Sequence, residues 1–142
     1  MMIEYQIEEI YGHGYERWAK IKFKNSIRGL YVHWIEYDEY LEDTDIPTKR
    51  KRGDTIRGIL KISLVTEFKV IKDNGKGYIQ SIKNSCGISA IANVKRINDS
   101  DTIVCRIKDL GEETVIEFEN DVEIELNTTI EINGSLELDV NN

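Results

Sequence analysis

Apolar and polar residues alternate along most of the chain, the two-residue period of a strand with one face buried and the other in water. The period is clearest over residues 3–7, 19–24, 30–37, 56–71, 102–108, 115–119, 122–126 and 129–140. Each segment is rich in β-branched or aromatic side chains and bounded by Gly, Asn, Asp or Ser. Gly12-His13-Gly14, Asp73-Asn74-Gly75, Asn98-Asp99-Ser100-Asp101, Glu119-Asn120-Asp121 and Asn133-Gly134 have the chemistry of hairpin turns. Residues 86–97 fit a strand through Ile88, Ala90, Ala92 and Val94, and a helix through Ile91, Val94 and Ile97; the strand is favoured.

The expected fold is therefore all-β with little helix, an antiparallel barrel or sandwich in which closure or a second sheet protects the strand edges. Gly53-Asp54-Thr55-Ile56-Arg57-Gly58-Ile59-Leu60 resembles the strand of an OB-like barrel in which a glycine lets the chain turn the corner. The resemblance makes an OB-like barrel one form this fold can take. The 142 residues suit one domain with a hydrophobic core that needs no staple. Its longest loop is expected over the polar residues 41–53, around the sole proline, Pro47.

Charge adds what periodicity does not show. The chain carries 26 Asp and Glu against 19 Lys and Arg, a net charge of −7. From Asp109 to the end there are 11 acidic residues and no basic one. This segregation points away from nucleic acid and towards a positively charged partner. In strands, Glu117 and Glu119 share a face, as do Glu123 and Glu125, and a hairpin across Asn120 would gather all four. Glu131, Glu137 and Asp139 extend the same acidic series. Like charges facing across a sheet cost about 0.2–1 kcal/mol per pair, so a cation should balance them. The candidates are the strand face of Lys20, Lys22 and Lys24, or a basic partner.

Nine of the twelve aromatic residues fall in the first 40 positions. Around Tyr31-Val32-His33-Trp34 both faces carry large groups, as in a strand buried between layers. Exposed, Trp34 and Tyr37 would instead be interface anchors. Lys49-Arg50-Lys51-Arg52 is the one concentration of positive charge and the candidate phosphate contact.

Catalytic signatures are missing. There is no Cys-x-x-Cys, His-Glu-x-x-His, glycine-rich phosphate loop or Gly-x-Ser-x-Gly, so no catalytic residue, metal or cofactor is implied. With His13 and His33 alone, a histidine-rich metal centre is excluded. Asp99-Ser100-Asp101 imitates the start of a calcium loop but lacks its later glycine and glutamate. Cys105 is expected to be a buried free thiol, and Cys86 has no activating group in its neighbourhood of sequence.

A chain without a basic n-region, an apolar h-region or a long apolar run is expected to be soluble and cytoplasmic, with no membrane association. The leading expectation is an acidic protein-binding module, an immunity-type or inhibitor protein that neutralises a basic partner such as a nuclease toxin, favoured over an enzyme without the sequence deciding between them. Glu117, Glu119, Glu123 and Glu125 would supply the charged face, with Trp34 and Tyr37 as anchors. The alternative is an OB-like barrel binding single-stranded nucleic acid through Lys49, Arg50, Lys51 and Arg52. A third reading is a carboxylate-based hydrolase, or a sugar-binding domain using Tyr31 and Trp34.

Overall fold

The computed structural model describes residues 2–23, 26, 28–36, 50–72 and 77–140. Its elements are β1 (Ile3–His13), β2 (Glu16–Phe23), β3 (Gly29–Ile35), β4 (Thr55–Val65), β5 (Lys69–Ile71), β6 (Tyr78–Ile79), β7 (Gly87–Ile97), β8 (Thr102–Ile107), β9 (Gly111–Phe118) and β10 (Thr129–Asp139). The fold is all-β, and no helix occurs among the described residues. The ambiguous 86–97 segment is a strand whose buried residues are Ile88, Ala90, Ala92 and Val94.

Eight strands close a ring in the order β10-β3-β2-β1-β4-β9-β8-β7, with β7 returning to β10. β4 and β10 also pair across that ring, Leu136 opposite Ile62 and Leu138 opposite Leu60, so the outline is not a clean barrel. The cross-pairing divides it into two five-stranded circuits that share β4 and β10. Most ladders are antiparallel, but β3–β10 and β4–β9 are parallel. The alternation seen in sequence fills the interior: Ile21, Ile62, Val94, Ile116, Ile130 and Leu136 are all fully buried. Each such side chain contributes about 1.5–3 kcal/mol when removed from water.

Three local expectations are corrected. Residues 56–71 are two strands: β4 ends at Val65 and β5 starts at Lys69, and the ladder irregularity between Ile62 and Val65, where Leu64 takes φ 58°, falls at the end of β4. Asn133-Gly134 is not a turn but the middle of β10. A Cβ on Gly134 would stand 2.5 Å from the Ser63 carbonyl oxygen, so the glycine lets β4 cross close over β10. Residues 122–126 form no ladder strand and no hairpin with β9, because both edges of β9 are already taken, by β8 and by β4. The expected 41–53 loop lies mostly outside the described residues.

One edge is closed by a side chain. β3 meets β10 at a single register pair, and nearby the Tyr31 N–H donates to Gln80 Oε1 at 2.9 Å while Gln80 Nε2 donates to the Tyr31 carbonyl at 2.7 Å. The Gln80 amide thus stands in for a neighbouring strand.

Candidate functional site

Past β9 the chain bends at Glu119 and Asn120 and continues through residues 121–125 without regular structure. The Val122 N–H donates to the Ser100 carbonyl at 2.9 Å, and beyond the segment the Asn127 N–H donates to the Val94 carbonyl at 2.9 Å. Between these ties the two-residue alternation persists without a ladder. Val122 and Ile124 pack against the core, while Asp121, Glu123 and Glu125 are exposed. Beside them opens a groove of about 480 Å³, with Ile97, Ile103, Val122 and Ile124 as its apolar part and Asp99, Glu123 and Glu125 at its polar part. Ile97 is 46 % exposed, and the neighbouring chain position Leu126 is 53 % exposed.

The four glutamates singled out in the sequence fare differently. Glu117 is half-buried, and its carboxylate meets Lys61 Nζ at 3.0 Å. Glu119, Glu123 and Glu125 are exposed and make no ion pair with any described residue. Acids nearer the β8–β9 connection are already matched: Glu112 with Arg106 and Glu113 with Arg96, each at 3.2 Å, and Asp109 with Arg28 at 3.4 Å. The Lys20 and Lys22 face does not neutralise the late glutamates, since β2 lies between β1 and β3, away from β9. Lys20 instead approaches Glu8 at 3.9 Å and sits over the Tyr31 ring. Lys24 lies outside the described residues.

Two further carboxylates, Asp99 and Asp121, both at turns expected from the sequence, join the cluster. The Ser100 N–H donates to Asp99 Oδ1 at 2.8 Å, and the Ser100 hydroxyl donates to Asp121 Oδ1 at 2.8 Å. The first bond shapes the 98–101 turn, and the second, with the Val122 N–H to Ser100 carbonyl bond, holds that turn against the 121–125 segment. The turn was legible from Asn98-Asp99-Ser100-Asp101, but its placement beside residues twenty positions on was not.

Trp34 is 3 % exposed and faces the interior with Leu30 and Val32, so it builds the core and offers no surface for an anchor. Tyr37 and Lys49 lie outside the described residues. Arg50 does not share an exposed basic patch: it meets the fully buried Glu36 carboxylate, which Arg17 Nε contacts from the other side at 3.2 Å. Arg17 also donates to the carbonyls of Gly14 and Glu16, each at 2.8 Å. Lys51 and Arg52 remain exposed. Cys105 is fully buried, which pushes its thiol pKa up to about 12. Cys86 Sγ lies 3.1 Å from Ser135 Oγ. Among the described residues no three His, Cys, Asp or Glu side chains gather where they would hold a metal.

Comparison with known proteins finds no family, curated sequence or solved structure that matches this chain.

Proposed function

We propose that this protein is a cytoplasmic, acidic protein-binding module of the immunity or inhibitor kind, which occludes a basic partner such as a nuclease toxin. The observation that carries this reading is the arrangement of Glu123 and Glu125, exposed and without an ion-pair partner among the described residues, at a groove that Ile97, Ile103, Val122 and Ile124 line with apolar surface, with the exposed Glu119 a few positions earlier in the chain. Exposed carboxylates of one sign steer a cationic partner and raise its association rate. Charge alone gives little lasting affinity, and the apolar floor supplies the surface that a docked partner would desolvate. The backbone that carries these carboxylates is tied to the Ser100 carbonyl at Val122 and, just beyond the segment, to the Val94 carbonyl at Asn127, which reduces the backbone ordering that docking would have to supply. Arg50, engaged by Glu36, weakens the case for a nucleic-acid surface at the basic tetrad.

The test pairs two baits in extracts of the native host at low salt, the wild-type protein and a Glu123→Lys, Glu125→Lys double variant. A basic protein retained by the first, lost from the second and released by salt supports the reading. Equal retention by both baits, at every salt concentration, contradicts it.

A further inference from the structure

The circuit formed by β10, β3, β2, β1 and β4 closes where β3 meets β10, and that parallel meeting consists of one register pair, Glu137 opposite His33. The His33 side chain spans the seam. Its Nδ1 lies 2.6 Å from Glu137 Oε2 on β10, and its Nε2 lies 3.2 Å from Glu16 Oε1 on β2. A neutral imidazole has one N–H, so it can donate to one of these carboxylates while turning a lone pair on the other. Only the imidazolium donates to both. The ring is 13 % exposed and packs against Trp18 at 5.3 Å between centroids, with Tyr11 stacked on the far side of Trp18 at 5.9 Å.

We propose that the His33 imidazolium is a pH-sensitive latch, bridging Glu16 and Glu137 to hold the β3–β10 seam shut and loosening it when the ring loses its proton. Among the described residues, other groups also face this site. Lys61 on β4 stands in register with Glu137 but pairs with Glu117 at 3.0 Å. Ser63 on β4 and Ser135 on β10 donate to Glu137 Oε1 at 3.5 and 3.4 Å, fixing that carboxylate from its other side. Asp139 lines the same groove, of about 340 Å³, and adds negative charge. From β1, the Tyr11 hydroxyl is turned away to the Asn84 carbonyl.

The direction of the linkage follows. The His33 pKa is raised above its ordinary value, first by the hydrogen bond with Glu137 and against the opposing effect of burial. A group raised on folding contributes its full stabilisation below the unfolded pKa, about 6.5 for histidine, and loses it as pH rises through the folded pKa. The seam is therefore closed at acidic pH and loosens on the alkaline side of the raised value.

The experiment is NMR over a pH series, following the His33 ring protons and the amide protection factors of β3, β10, β7 and β8, corrected for intrinsic exchange. The expected midpoint lies above 6.5 and falls in Glu137→Gln, which removes the largest of the causes that raise it. Seam protection in β3 and the 136–139 part of β10 drops through the same midpoint, while the β7–β8 ladder stays unchanged. In His33→Gln seam protection no longer depends on pH; if that variant does not fold, Glu16→Gln, at a half-exposed position, serves instead by lowering the midpoint in an intact protein. A midpoint at or below 6.5, or seam protection that ignores the titration, overturns the proposal.

Discussion

The Tyr5 hydroxyl is buried in the core with no hydrogen-bond partner among the described residues. The ring packs on Phe23 at 5.2 Å, so the residue contributes apolar area while its oxygen has lost water without replacement. The same burial raises its pKa. Tyr5→Phe keeps the ring and removes the unsatisfied group, and should stabilise the protein by about 1 kcal/mol, read as a higher urea midpoint at unchanged slope. The two thiols separate on similar grounds. Native protein treated with iodoacetamide at pH 8 should be labelled at Cys86 and not at Cys105, which reacts only after denaturation; labelling of native Cys105 would contradict its burial. Cys105 was legible from its place between Ile103 and Ile107. The Glu36 site was not, because Arg17, Glu36 and Arg50 come from three separate stretches and no local pattern joins them.

At the scale of elements, a two-residue period reports which side of the chain faces the core, and says nothing about whether a neighbouring edge is free. Residues 122–126 obey the period and still form no ladder, since β9 is flanked on both sides. Asn133-Gly134 illustrates a second limit. The dipeptide signals a hairpin when only neighbours in sequence are considered, but here the glycine answers to a strand more than 70 positions earlier, whose Ser63 oxygen occupies the space of its missing Cβ. Gly134→Ala should cost about 2 kcal/mol or more, through forced separation of β4 and β10. Gly87→Ala is the control. Its nearest contact is the Ser85 hydroxyl at 3.4 Å, so that variant should change stability little. Equal effects of the two substitutions, measured by urea denaturation, would show that the β4–β10 crossing tolerates more space than its geometry implies.

For the whole molecule, the all-β class was readable from alternation and turn chemistry, while the closed ring and its internal β4–β10 pairing depend on long-range partners. The acidic bias of the second half was equally readable. What the sequence did not reveal was how that charge is divided: Lys61 pairs with Glu117 and arginines with Glu112 and Glu113, whereas Glu123 and Glu125 meet no cation among the described residues and line a groove built partly by the 98–101 turn. The measurement that bears most directly on the proposed docking surface is the association rate of the captured basic partner as a function of ionic strength. The account predicts a rate that falls about tenfold or more between about 20 and 300 mM salt, with most of that dependence abolished in the Glu123→Lys, Glu125→Lys variant. A rate that stays flat with salt, or a salt dependence that survives the double change intact, would contradict it.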